Sequence, residues 1–160
     1  MKKSVYLLLT AVLFLFLLPS NAYAATAPAL DTRSENGEDY IVETILIGET
    51  PERPSETVFA DTQTITRTKI SYVRNSDGDV LWYLSITATF EYNGSTSKCI
   101  SCSCDAVSQN SSWNIKSYSC SKSGNSATAT ATATHTSPLG LSQDYTQSVT
   151  IRCSANGTVS

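Results

Sequence analysis

The sequence predicts an all-β fold, an antiparallel β-sandwich of immunoglobulin-like outline stapled by disulfides. Three observations predict it. Apolar and polar residues alternate with a period of two over most of the chain after residue 57, the mark of strands with one buried face. Turn-forming residues interrupt that alternation at short intervals, and no helical stripe competes with it. Five cysteines occupy a chain that opens like an exported protein, for which an oxidising exterior is expected.

The opening MKKSVYLLLTAVLFLFLLPSNAYA places Lys2 and Lys3 before an apolar run from Val5 to Leu18, then Pro19 and the small-residue pattern Ala22-Tyr23-Ala24. This reads as a secretory signal peptide over residues 1–24. The apolar run is shorter than the ~20 residues a spanning helix needs. No cysteine follows it to accept a lipid, so the expectation is a freely secreted protein without membrane attachment after cleavage.

Residues 25–56 read as an acidic linker or leader. Nine acids stand against Arg33 and Arg53 over residues 25–61, a balance of −7, whereas residues 62–160 hold five acids and seven bases, a balance of +2. Binding nucleic acid requires Lys and Arg to neutralise phosphate, so that partner class is excluded. Within the leader, residues 25–40 have the composition of a solvated spacer. IVETILI (41–47) is apolar enough for a first strand or a detachable segment. Pro51 and Pro54 then break the chain, because proline fixes φ and cannot donate to a ladder. The β-sandwich domain is expected over residues 57–160.

TQTITRTKISYVRN (62–75) is expected to pair across the turn NSDGD with VLWYLSITATFEY. In the latter, Val80, Trp82, Leu84, Ile86, Ala88 and Phe90 share one face, and Ser85, Thr87, Thr89 and Glu91 the other. Further strands are expected over 98–108, 113–122, 126–136 and 144–153. Asn93-Gly94, Gln109 to Ser112, Gly124-Asn125 and Ser137 to Gly140 punctuate them. NSATATATATHT sends Ala127, Ala129, Ala131 and Ala133 to one side and Thr128, Thr130, Thr132 and Thr134 to the other. The small alanines would admit Trp82 or Trp113 from a facing sheet. An ordered hydroxyl surface that binds ice or glycans would need such threonine rows aligned over several strands, and the sequence displays one.

KCISCSCDAV (98–107) concentrates three of the cysteines. Period-two parity puts Cys99 on the side of Val107, with Cys102 and Cys104 on the other. Cys153 shares its side with Val149 and Ile151, so Cys99 and Cys153 are candidates for a buried bridge. If Gln109 opposes Trp113 in a hairpin, Cys102 falls opposite Cys120, and a register slip substitutes Cys104. One thiol is left over. A zinc site built on Cys99-x-x-Cys102 lacks the second tight pair such sites use, so no metal is expected. A redox motif would sit at a helix N-terminus rather than in a strand.

GDVLWYLSITATFEYNGSTSKC, continued by SSWNIKSYSCSKSGNSATATATATH and closed by IRCSANGTVS, resembles a family of small secreted β-rich proteins of Gram-positive bacteria, over roughly residues 60 to 160. The resemblance implies an exported β domain with an early cysteine after the Tyr-Asn-Gly turn and a late one before the C-terminus, here Cys99 and Cys153. No activity is assigned to that family, so it supplies no functional residue. Cys104 and Cys120 are less typical of it.

Catalytic chemistry is sparse. His135 is the one histidine, and no nucleophile elbow accompanies it. Asp61, Glu91, Asp105 and Asp144 are the domain acids outside the NSDGD turn, with no spacing that pairs them. Asn75-x-Asp77-x-Asp79 opens like a calcium loop, but Gly78 and Ile86 do not fall where that loop needs glycine and glutamate; Asp77-Gly78 is a hairpin turn pair. Tyr83 and Tyr118 are the aromatics placed to stack on a sugar ring or anchor a protein. The reading is therefore a secreted, non-catalytic binding module without cofactor, acting outside a Gram-positive cell on glycan or protein. A secreted antibacterial or toxin-like effector with an acidic leader is the alternative. No motif assigns a ligand or an oligomeric state.

Overall fold

The computed structural model describes residues 28–35, 38–48 and 62–160. The expected signal peptide lies outside the described residues. Eight strands follow one another: β1 (Ala29–Glu35), β2 (Glu38–Ile47), β3 (Gln63–Arg74), β4 (Val80–Tyr92), β5 (Ser97–Ser108), β6 (Trp113–Ser123), β7 (Ser126–Thr136) and β8 (Ser142–Arg152). They form two antiparallel sheets, five strands in the order β1-β2-β3-β4-β5 and three in the order β6-β7-β8. The sheets meet face to face, β4 lying over β7 and β8 and β5 alongside β6.

The connectivity is a meander in which each strand pairs with its neighbour in sequence and the chain changes sheet once, after β5. An immunoglobulin domain interleaves its strands between two sheets by Greek-key connections, so that outline does not describe this topology. Strand number and spacing are common to both arrangements, and neither records which sheet a strand joins. Within the acidic leader, IVETILI takes the strand alternative expected of it, whereas the solvated-spacer reading of residues 29–35 gives way to β1. Two of its stretches are strands, β1 pairing with β2 and β2 with β3. Tyr40 and Val42 are buried in the core, which explains why this charged segment is held.

The centre of the core is a size match. On β4, Trp82, Leu84, Ile86, Ala88 and Phe90 point inward with 0–1% of their surface exposed. Ala127, Ala129, Ala131 and Ala133 of β7 are buried to the same degree. Side chains without length let the two backbones approach until the large residues of β4 fill the gap. Trp82 comes from the facing sheet, as expected. Trp113 does not: it lies beside β7 in the same sheet, paired with His135. Trp82 Nε1 has no hydrogen-bond partner among the described residues. Leaving that donor unpaired costs about 1–3 kcal/mol, against which burial of the indole contributes more area than any other side-chain type.

Hairpin chemistry sets the register. Between β3 and β4, Asp79 N donates to Asn75 Oδ1 at 2.8 Å and Gly78 N to the Asn75 carbonyl at 3.1 Å. Gly78 adopts φ +90, which a side chain would strain. NSDGD is thus a turn, its Asn75 side chain also donating from Nδ2 to Asp79 Oδ2 at 3.3 Å. The segment after β5 is different. The expected β5–β6 hairpin is replaced by an arch that carries the chain to the second sheet, because Trp113 turns into the core. Asn110 Oδ1 accepts from Ser112 N at 2.9 Å, and Ser108 Oγ donates to the Trp113 carbonyl at 2.8 Å.

The size match has a direct test. Ala131→Leu adds bulk where Ala131 is 1% exposed and should lower stability by about 1–3 kcal/mol. Thr130→Val, one residue away on the outer face, should change it by less than about 1 kcal/mol. Urea denaturation of both variants measures the difference; equal effects would mean that the sheets can separate to take the leucine.

Candidate functional site

Two features carry polar or reactive chemistry: a hydroxyl face and a cysteine seam bordering the core. The face is the outer surface of the three-stranded sheet. Threonines of β7 pair with β8 in five successive hydroxyl contacts: Thr128 with Thr150 at 2.8 Å, Thr130 with Ser148 at 2.9 Å, Thr132 with Thr146 at 3.1 Å, Thr134 with Asp144 at 2.6 Å and Thr136 with Ser142 at 3.1 Å. On the other side of β7, Ser121, Ser119 and Ser117 of β6 stand opposite Thr128, Thr130 and Thr132. Three strands therefore align three hydroxyl rows. Steps are about 6.8 Å along a strand and about 4.8 Å between strands.

Lys116 closes one end of this face. It is the extra residue of a bulge in β6, between Ile115 and Ser117. Its Nζ lies 2.5 Å from Asp144 Oδ2, reaching past the Thr134 row. Hydrogen bonds from Lys116 and then Thr134 hold the Asp144 carboxyl below the usual carboxylate range. The five-stranded sheet repeats the motif more briefly, Thr66 with Thr89 at 2.9 Å and Thr68 with Thr87 at 2.8 Å.

The seam lies where β5 and β6 adjoin. Cys99 faces the core as parity expects, but parity separates Cys102 and Cys104 from it, because a bulge between Cys99 and Ser101 inserts Ile100 as an extra residue. Cys99, Cys102 and Cys104 consequently share one face, opposite Phe90, Ala88 and Ile86 of β4, while Val107 faces out beside Tyr83. Cys120 projects inward from β6, paired with Ala129. The Cys120 sulfur interacts with the thiols of both Cys102 and Cys104. At the end of the sandwich, Cys99 N donates to Gly124 O at 2.8 Å and Cys153 N to Asn125 O at 3.0 Å, so one turn anchors both residues. All five cysteines carry free thiols in this structure. Burial pushes the thiols of Cys99, Cys102, Cys120 and Cys153 up from their ordinary value, which lowers the thiolate fraction that nucleophilic chemistry uses.

The two tyrosines are not brought together. Tyr83 lies on the outer face of the five-stranded sheet, its ring 5.8 Å from that of Tyr72, with Arg74 5.2 Å over the latter. Tyr118 points to the seam and is 49% exposed. His135 stacks on Trp113 with ring centroids 4.8 Å apart, beside Tyr40 and Tyr145. Of the features described, the sequence missed the width of the hydroxyl face. Its signal was present in the serines of SYSCSKS, spaced two apart like the threonines of β7, but they gain meaning only once β6 is placed beside β7.

Comparison with known proteins found no matching family model, no matching curated protein and no matching solved structure.

The Asp144 contact predicts a pH response. Its folded pKa is depressed, so its stabilising contribution is complete above the ordinary aspartate range and is lost as pH falls through the folded value. NMR titration should find Asp144 titrating below an unfolded aspartate, and Lys116→Met should move it upward. An unmoved midpoint would assign the depression to Thr134 alone.

Proposed function

We propose that the chain is a secreted, non-catalytic binding module of a Gram-positive cell and that it docks ordered polysaccharide through the hydroxyl face of the three-stranded sheet. The observation that carries this reading is the alignment of five hydroxyl contacts between β7 and β8 with a serine row on β6. A hydroxyl offers one donor and two acceptor positions. Each hydroxyl–hydroxyl pair uses one donor and one acceptor internally, leaving the second donor and further lone pairs directed at solvent. β-Branching limits the χ1 freedom of the threonines, so little rotamer entropy remains to be lost on binding.

The chemistry of the face favours glycan over protein. A protein-binding surface draws most of its energy from buried aromatic, Met and Arg anchors at its centre. Here the centre is threonine and serine, with the Lys116–Asp144 pair at one end. An extended sugar polymer presents hydroxyls on a regular repeat and complements such rows. Tyr83 and Tyr118 lie off this face and have no part in the reading. The pairing of β1 and β2 into the five-stranded sheet weakens the form of the effector alternative that is released from its acidic leader, leaving an effector active when folded.

Sedimentation of the purified chain with insoluble peptidoglycan, chitin and cellulose tests the proposal. Saturable binding to at least one is expected. Thr130→Val combined with Thr132→Val should weaken it about tenfold, which corresponds to about 1.4 kcal/mol. Tyr83→Ala and Tyr118→Ala should leave it unchanged. Retention of full affinity by the threonine variant would place binding elsewhere. Growth inhibition without sedimentation would favour the effector.

A further inference from the structure

The bulge at Ile100 gathers thiols that plain alternation would separate. Cys102 and Cys104 project in parallel from β5, about 6.6 Å apart, which makes them poor partners for each other. Both interact with Cys120, which faces them from the edge of the other sheet. None of the three is fully buried, and Tyr118, two residues from Cys120, is half exposed. A small reagent therefore has access along the seam. Cys99 and Cys153 are in a different situation, 2% and 0% exposed and fastened to the Gly124-Asn125 turn.

We propose that Cys102, Cys104 and Cys120 form a disulfide-exchange site, in which Cys120 bonds to either neighbour and the displaced thiol takes a low-molecular-weight thiol as a mixed-disulfide cap. The oxidant is a low-molecular-weight disulfide. The Cys120 thiolate attacks one of its sulfurs, breaking the S–S bond and releasing one small thiolate. The Cys102 thiolate then attacks the Cys120 sulfur, forming Cys102–Cys120 and expelling the second small thiolate. Two cysteine thiols have lost two electrons and two protons, and one small disulfide has become two thiols. Exchange follows without net oxidation: the Cys104 thiolate attacks the Cys120 sulfur, Cys104–Cys120 forms, and Cys102 leaves as thiolate. Whichever neighbour is displaced reacts with another small disulfide, gaining the cap and releasing one thiol.

The inference is independent of polysaccharide binding, since the seam and the hydroxyl face share no residue. The test treats the full, reduced chain with glutathione disulfide, quenches with iodoacetamide, and combines intact mass with fragmentation mapping that cleaves between Cys102 and Cys104. The expected map has Cys120 joined to Cys102 in some molecules and to Cys104 in others, with one glutathione per chain at the displaced residue. Cys102→Ala and Cys104→Ala should each keep a Cys120 cross-link and lose that cap, while Cys120→Ala should carry two. Cross-linking of Cys120 to one neighbour only, or to Cys99 or Cys153, would overturn the proposal. So would an alkylated Cys120 or an uncapped third thiol. The wild-type map decides the matter even where a variant fails to fold.

Discussion

The alanine row of β7 lies against Trp82, Leu84, Ile86 and Phe90 of β4, and the distance that this contact sets between the sheets governs where the remaining elements go. With β7 drawn close, β6 and β8 flank it at a depth where Trp113 and Ile151 are buried. Between β3 and β8 the sheets are tied by polar groups instead. Gln147 Nε2 donates to Ser71 Oγ at 3.0 Å with both residues buried, and Lys69 Nζ donates to Thr150 O at 3.0 Å. Burial pushes the Lys69 ammonium down from its ordinary value, so its charge is held there at a cost that the Thr150 carbonyl offsets. These contacts are directional where the alanine contact is not, and they fix how the sheets are set against each other once apolar burial has brought them together.

Bulges act at the other side, one on each seam strand. Ile100 interrupts β5 and Lys116 interrupts β6. A bulge inserts one residue and so reverses the alternation beyond it. On β5 this turns Cys99 onto the face already held by Cys102 and Cys104. On β6 it lets Trp113 and Ile115 face inward before the bulge, and Tyr118, Cys120 and Lys122 after it. Lys122, further along β6, then donates to the carbonyl of Ile100, the bulged residue of β5. The edges of the two sheets are thereby tied at Ile100 without a ladder between them.

Reading the sequence recovered what depends on local pattern and lost what depends on partners. The strands from β3 to β8 were legible because alternation and turn pairs such as Asp77-Gly78 and Gly124-Asn125 are local signals. β1 and the start of β2 were hidden because the acids of SENGED carry no apolar period, while the residue that holds the segment, Tyr40, is one aromatic whose partners Trp113 and Tyr145 lie far along the chain. The arch after β5 was read as a hairpin because Gln109 to Ser112 has turn composition in either case. The faces of Cys102, Cys104 and Val107 were hidden because Ile100 looks like an ordinary strand residue, and a bulge shows itself only in the register against β4. The hydroxyl face was half legible: β7 displayed its threonines, but rows exist only across strands.

The alternation of β7 is also a hazard, and its solution explains the residues at its ends. A register slip of one residue would drive threonine hydroxyls into the space beside Trp82 and is strongly disfavoured. A slip of two residues would exchange alanine for alanine and threonine for threonine, leaving core and face nearly unchanged, so the repeat itself cannot exclude it. The exclusion comes from the ends. Gly124 takes φ +56 in a two-residue hairpin that makes Ser123 oppose Ser126, and Asn125 Nδ2 donates to Cys153 O at 2.8 Å. At the far end, His135, which interrupts the alanine series, stacks on Trp113. Moving the strand by two residues would break all of these together. A low-complexity strand is thus held in one register by the few non-repeating residues in it and in the turn before it, and the same residues keep every hydroxyl of the outer face opposite its partner.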